Sequence, residues 1–450
     1  MAGRNVMKEP GVRRVAVLGG VRIPFCRSHT VYADISNLDM LTAALGGLAD
    51  RFELHGAHVD EVIGGAVVTH AKDWNLAREA VIGSPLAPST PGITMMQACG
   101  TSLQGALGLA AKIATGQIEC GIAMGSDTTS DAPIVFQRKF AQRLVQASRA
   151  KSLGKRLGAF KGMGPGELAP LPPSTSEPRT GLGMGEHCEL MAKEWGITRE
   201  AQDLLAYESH KKAAAAYDEG FMDDLVIPCA GVFRDNNVRG DISLEKMAEL
   251  KPAFDKVNGT ITAANSTPLT DGAATVLLAS EEWAEKRQIP IQAYLTLGRT
   301  SAVDYVQGEG LLMAPTVAVS ELLKATGLAL QDFDYYEVHE AFAAQVLATL
   351  KAWETEAYCR ERLGRDAPLG AIDCSKLNVK GSSIAFGHPF AATGARILAV
   401  LAKLLQSGDG QRGLISVCTA GGMGVAAILE GVKTREPVKR TRRGRGTGTA

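Results

Sequence analysis

The stretch from Thr101 to Thr115 is rich in Ala, Gly and Leu all round, and Lys112 is its single charge. A helix without a polar face is a buried helix, so the rest of the chain must fold around this one. Gly105 and Gly108 lie inside it. Each costs about 1 kcal/mol relative to alanine in a helix, which makes sense if backbones approach closely there. Immediately before it, Ile93 to Ala98 reads as a strand, followed by Cys99. A thiol at a strand-to-helix junction meets unpaired N–H groups and the positive end of the helix dipole. Both favour thiolate over thiol.

The surrounding pattern alternates strand and helix. Arg14 to Gly19, Val62 to Val68 and Cys120 to Ser126 read as buried strands, and Leu38 to Phe52 has helical periodicity. The second half repeats this grammar. Leu322 to Leu328 followed by Phe333 to Val338 echoes Leu48 to Leu54 followed by Val59 to Ile63. A helix from Thr393 to Gln406 and a strand from Gly413 to Val417 echo the helix after Cys99 and its strand. Repeated βαβ-type units predict two similar α/β halves. The expected division is 1–127 with 250–292 for the first half, 128–249 for an inserted loop domain and 293–432 for the second half. Residues 433–450 are a basic tail of Lys, Arg, Gly and Thr, a composition that reads as disordered.

Composition narrows the function. A chain of 450 residues exceeds one ordinary core. Lys plus Arg equal Asp plus Glu at 48 each, so no global charge points to nucleic acid and any polyanion site must be local. Eight scattered cysteines form no Cys-x-x-Cys pair, which leaves a zinc site without support and predicts no metal. Their scatter, with no apolar signal segment in Met1 to Arg14, favours a reducing, cytoplasmic setting. No run approaches the roughly 20 apolar residues of a membrane span. One local exception in charge is Arg138 to Lys161, with eight basic residues and no acidic one. Phe140, Leu144, Leu153, Leu157 and Phe160 recur there at helical spacing. Such a basic amphipathic helix suits coenzyme phosphates, a membrane surface, a partner subunit, or simply a solvated face.

Two later segments supply what the Cys99 thiolate would need: Gly387-His388-Pro389, and Cys418 just ahead of Gly421-Gly422-Met423-Gly424. Together with Gln97-Ala98-Cys99-Gly100, the run Asn265 to Ala274 read as a loop, His339-Glu340-Ala341-Phe342-Ala343, and Gly387 to Arg396, they resemble the thiolase superfamily. Within it they are most like the 3-ketoacyl-CoA thiolases of multienzyme β-oxidation complexes. The resemblance runs from about Arg14 to Glu430. It implies a five-layered α-β-α-β-α core of two related halves with a loop domain, and a homodimer or homotetramer. It also implies a hydratase/dehydrogenase partner subunit, while the expectation of a peripheral membrane contact rests on the basic segment Arg138 to Lys161.

The implied reaction cleaves a 3-ketoacyl-CoA with free coenzyme A, giving acetyl-CoA and a shortened acyl-CoA; the reverse is a Claisen condensation. Coenzyme A is a substrate, so no cofactor is expected. By resemblance, Cys99 is the nucleophile that carries the acyl group and His388 is its base. Cys418 exchanges the proton at the enolate carbon. The backbone N–H groups of Cys99 and Ala420 are donors to one developing oxyanion, and His388 with a bound water serves the other. Thr267 aligns with a small hydroxyl residue that contacts pantetheine. Two positions depart from the commonest pattern. His339 replaces an asparagine that holds the oxyanion water, and a histidine can change charge near neutral pH. Ala420 replaces glycine, which keeps the N–H provided φ stays negative.

Three rivals share parts of this reading. A biosynthetic acetoacetyl-CoA thiolase runs the same chemistry in reverse. A β-ketoacyl synthase has a Cys-His-His set resembling Cys99, His339 and His388, but would lack Cys418. A thiolase-like lipid-binding module would not retain all three reactive residues.

Overall fold

The computed structural model describes residues 12–432. The basic tail at 433–450 lies outside the described residues. Nine strands run in one hydrogen-bonded path. Val15–Arg22 pairs with Thr270–Ser280, then come Cys120–Asp127, Glu61–Gly64 and Gly92–Thr94. On the other side, Ala293–Ala302 pairs with Met423–Gly431, then come Arg412–Thr419 and Tyr335–Val338. In each half the pairings run antiparallel, antiparallel, parallel in the same strand order. The repeat seen weakly in the sequence is therefore a repeat of topology. Among the described residues, the strands of the two halves pair through Ala16 with Tyr294 and Val17 with Ala293.

Two helices occupy the space between the halves, the nucleophile helix Thr101–Ala114 and the histidine helix Thr393–Ser407. They pack on each other and on strands of both halves. Asn37–Arg51 and Leu76–Gly83 cover the outer face of the first half, and Ala314–Thr326 the outer face of the second. This is a layered α-β-α-β-α order. The Phe390–Ser407 stretch is long and apolar enough by composition to cross a membrane, with mean hydropathy 1.2, yet 78% of it is buried as a core helix.

Sequence and structure differ in instructive ways. The expected strand Ile93 to Ala98 shortens to Gly92–Thr94, because Ala98 takes a positive φ of 45° and turns the chain. Val62 to Val68 shortens to Glu61–Gly64. The run Asn265 to Ala274 is loop only at its start, and Thr270 opens a fully buried eleven-residue strand. The expected close approach at Gly105 and Gly108 is mild: a Cβ there would lie 3.2 and 3.7 Å from Ile63. The tight contact is instead at Gly394, where a Cβ would lie 2.4 Å from the backbone nitrogen of Leu103. Glycine at that position lets the two central helices touch.

Residues 128–269 run between the strands Cys120–Asp127 and Thr270–Ser280. A buried ion pair ties this excursion to the sheet, with Arg22 donating two hydrogen bonds to Asp235 at 2.6 and 2.7 Å. The basic segment forms two helices rather than one, Arg138–Arg149 and Leu153–Gly158, with Ser152 capping the second. Leu144, Val145, Leu153 and Leu157 are exposed on them.

Candidate active site

Cys99 lies two residues ahead of the nucleophile helix. Its placement follows from local constraints. Ala98 adopts a left-handed conformation that costs of order 1 kcal/mol and swings the thiol off the strand axis. Gly100 follows because a Cβ there would meet Val425 at 2.8 Å. The Thr101 hydroxyl closes the turn, donating to the Ala98 carbonyl at 2.7 Å and accepting the Gln97 N–H at 2.9 Å.

His388 reaches this thiol from the start of the histidine helix, with Nε2 3.1 Å from Cys99 Sγ. Its Nδ1 lies 2.6 Å from the Thr393 hydroxyl, which itself donates to the Pro389 carbonyl. The Thr393 hydroxyl therefore accepts a hydrogen bond from Nδ1–H, and Nε2 is left as an acceptor facing the sulfur. Ser102 clasps the two helix starts, donating to the Ala391 carbonyl at 2.5 Å and accepting the Ala395 N–H at 2.8 Å. Buried Asp127 holds the same loop by accepting the N–H groups of Ala391, Val67 and Val68. Its carboxyl is pushed up to about 7 because burial outweighs those donors.

The helix terminus does not decide the resting charge. Burial pushes the Cys99 thiol up to about 12, against the opposing pull of the Ala420 and Cys99 backbone N–H groups on the sulfur. Burial, helped by the Arg396 cation, pushes His388 down to about 3. Both shifts favour the neutral thiol and the neutral imidazole, opposing the pull toward thiolate expected of the helix terminus. The two N–H groups expected at an oxyanion are the two that face the sulfur. Ala420 keeps an ordinary φ; the left-handed values fall on Gly421 at 78° and Gly422 at 70°.

His339 follows the strand Tyr335–Val338 and packs against His388, with ring centroids 4.2 Å apart and ring planes tilted by 48°. It is fully buried. Burial, reinforced by His388 and Arg396, holds it well below the ordinary histidine range. The charge change near neutral pH expected for a free histidine is thereby removed. Cys418 ends the same wall on strand Arg412–Thr419. It is fully buried, and burial, with the Cys99 and Cys188 thiols adding, holds it well above the ordinary thiol range. Thr267 stands slightly apart. Its N–H and hydroxyl both donate to the carbonyl of Ala341, two residues beyond His339, at 3.1 and 3.2 Å.

The fold thus brings Cys99, His388, His339, Cys418 and the Ala420 N–H together, with Thr267 bonded to the adjoining segment. Sγ of Cys99 and one nitrogen from each histidine lie within 4.8 Å of one another. Such a sulfur-and-imidazole set suits a thiophilic ion as well as acyl chemistry, a possibility that the absence of Cys-x-x-Cys pairs could not reveal. Sequence reasoning also missed Asp127, Ser383, Thr393, Arg396 and Glu177. Thr393 and Arg396 lay inside the run Gly387 to Arg396, where helical spacing was the available signal. Glu177 accepts the Gly421 N–H at 2.9 Å across 244 residues of sequence, which no local pattern announces.

Family models for the thiolase N-terminal domain and the thiolase C-terminal domain match residues 15–282 and 291–431. The chain belongs to the thiolase family. It is 41% identical over 436 residues to a 3-ketoacyl-CoA thiolase of Shewanella baltica, covering 96% of this chain and all of that one. A 3-ketoacyl-CoA thiolase of Shewanella loihica is 40% identical over 423 residues, or 93% and 97% of the two chains. Among solved structures, the human mitochondrial 3-ketoacyl-CoA thiolase in complex with CoA superposes with a TM-score of 0.77 at 27% identity, over 94% and 98% of the chains. The Bacillus anthracis acetyl-CoA acetyltransferase gives 0.77 at 28% identity, over 94% and 100%.

Proposed function

We propose that this thiolase cleaves 3-ketoacyl-CoA with coenzyme A, releasing acetyl-CoA and a shortened acyl-CoA. The observation that carries the reading is the 3.1 Å contact between Cys99 Sγ and His388 Nε2, with the Cys418 thiol near enough to feel the Cys99 charge.

His388 takes the Cys99 proton as sulfur attacks the 3-keto carbon. The oxygen gains charge facing the N–H groups of Cys99 and Ala420, donors typically worth ~10²–10³ in rate each. The bond between carbons 2 and 3 then breaks. The electron pair leaves as the acetyl-CoA enolate, whose carbon takes the Cys418 proton. His339 and His388 face the enolate oxygen. His388 returns its proton to the Cys418 thiolate and then takes the thiol proton of the incoming coenzyme A as that sulfur attacks the acyl carbon. Cys99 leaves as thiolate and recovers its proton from His388. Two sulfurs are needed because an acylated Cys99 has no proton to exchange. Thr267 borders the channel for pantetheine, and no cofactor is required beyond the substrate coenzyme A.

The test is a thiolysis assay across 3-ketoacyl chain lengths with free coenzyme A, following both thioester products by chromatography. Equal release of acetyl-CoA and shortened acyl-CoA supports the reading. Acetoacetyl-CoA formation without cleavage of longer substrates favours the biosynthetic alternative.

The assembly part of the proposal rests on exposed apolar surface. Ile93 on the edge strand Gly92–Thr94 is exposed, as are Met96 just after that strand and Trp74, whose neighbour Asn75 bonds the Gly92 carbonyl, and this supports a homodimer or homotetramer. The two basic helices favour a partner subunit, coenzyme phosphates or a peripheral membrane contact. Deleting 138–161 and finding co-purification, liposome binding and KM for coenzyme A all unchanged would dismiss that role. A cytoplasmic location fits eight free cysteines; fractionation of the native host tests it.

A further inference from the structure

His339 is held by a neighbour that is itself held. Its Nδ1 lies 2.8 Å from the Ser383 hydroxyl, at the start of the short helix Ser383–Phe386. The guanidinium of Arg396, itself 2% exposed, donates to that same hydroxyl at 2.7 Å and reaches the Ser382 hydroxyl at 3.4 Å. His339 Nε2 has no hydrogen-bond partner among the described residues, although it is buried beside the reactive thiol.

The direction of these bonds is fixed by counting protons. A guanidinium only donates, so Arg396 fills one acceptor site of the Ser383 hydroxyl. Were His339 to donate from Nδ1, the hydroxyl would accept twice, and its own hydrogen would be buried without an acceptor. That costs about 1–3 kcal/mol. It would also point an N–H dipole at the Arg396 cation. With Ser383 donating to Nδ1, the hydroxyl both donates and accepts, the imidazole lone pair faces the positive charge, and Nε2 is the one ring nitrogen left open toward the site. Nε2 then carries the hydrogen.

We infer that Arg396 and Ser383 are positioning residues that lock His339 as a neutral Nε2–H donor, opposite in tautomer to His388. The pair then divides the work. His388 presents a bare nitrogen to Cys99 and acts as base. His339 presents a hydrogen and serves the developing enolate oxygen, directly or through a water. A histidine in this role does what an amide donor does, and it cannot compete with His388 for the thiol proton. The inference deepens the proposed thiolysis and rests on that reading for its catalytic meaning. The tautomer itself does not depend on it.

The experiment uses the full chain labelled with ¹⁵N-histidine. The His339 signals are assigned by their loss in His339→Asn, and long-range ¹H–¹⁵N spectra report which nitrogen bears the hydrogen. The expected result is Nε2–H for His339 and Nδ1–H for His388. Ser383→Ala removes the relay with little change in shape. It is expected to give a mixture of tautomers at His339 and a fall in kcat of about tenfold or more with KM nearly unchanged, part of the ~10²–10³ that a lost oxyanion donor costs. Ser383→Thr keeps the hydroxyl and restores both. An Nδ1–H signal at His339 in the unmodified protein overturns the inference. So does a Ser383→Ala protein that loses kcat while keeping the Nε2–H signal, since that loss is merely structural. Should the tautomers stand while no 3-ketoacyl-CoA is cleaved, the proposed function fails and the relay does not.

Discussion

Gly394 offers a direct way to test whether the packing of two helices sets the catalytic geometry. Cys99 and His388 sit just ahead of the nucleophile and histidine helices, and Gly394 is where those helices touch. A Cβ at Gly394 would lie 2.4 Å from Leu103 N and 2.7 Å from Leu103 Cβ. The nearer approach falls about 1 Å short of the 3.4 Å at which ordinary contact begins. The obstructing atom is backbone, so no rotamer change relieves it. Gly394→Ala must push the helix starts apart, straining the Ser102 clasp and lengthening the 3.1 Å sulfur–nitrogen contact. Overpacking of this kind costs about 1–3 kcal/mol of stability, and a 1 Å misplacement of reacting groups costs ~10²-fold in rate. Gly108→Ala is the matched control. Its Cβ would have 3.7 Å of room, and alanine favours the helix by about 1 kcal/mol. Thermal melts and kcat/KM for thiolysis are measured on both. Gly394→Ala is expected to be less stable and severely slowed, and Gly108→Ala to be fully active. A Gly394→Ala protein with an unchanged melt and rate would refute the argument that this contact fixes the site.

Cys418→Ala is expected to retain transfer of an acetyl group from acetyl-CoA onto Cys99 but to lose thiolysis; thiolysis near the unmodified rate would show that Cys418 is not the acid. His388→Ala should slow acylation of Cys99 by ~10²–10⁴-fold, read as the rate of acyl-enzyme formation by mass spectrometry. Glu177→Gln removes the charged acceptor that holds the Gly421 N–H beside Ala420, and should lower kcat with little change in KM. Stability should fall on acidification below the ordinary histidine pKa of about 6.5. His388, held near 3, and His339, held well below its usual range, stay unprotonated in the folded protein while the unfolded chain takes up both protons. The slope from two such groups approaches ~2.7 kcal/mol per pH unit. His339→Asn should flatten the loss between pH 7 and 5 in chemical denaturation, and an unchanged slope would count against a buried neutral imidazole.

Much of the architecture was legible because its signals are local. The apolar girth of Thr101 to Thr115 required burial, and the two strand–helix series announced two halves. Cys99, His388 and Cys418 stood out as a set, because their motifs in this order resemble the thiolase superfamily, whereas each alone reads as readily as a structural residue. What was not legible depended on distance in sequence or on desolvation. The strand before Cys99 stops at Thr94 and the chain turns toward the helix through a left-handed Ala98, for which alanine carries no signal. The close contact falls at Gly394 rather than Gly105 or Gly108, because which glycine meets a backbone depends on how the second helix is laid down. The helix dipole argument favoured a thiolate at Cys99; full burial, invisible in the sequence, outweighs it. The Arg396–Ser383–His339 relay joins three separate segments and could be seen only once they met.

The most direct measurement is the mass of the peptide bearing Cys99 after incubation of the protein with acetyl-CoA. The account predicts one acetyl group on Cys99, removed by adding free coenzyme A and absent in Cys99→Ala. An unmodified Cys99 peptide under turnover conditions, or an acetyl group that transfers to coenzyme A from another cysteine, would contradict it.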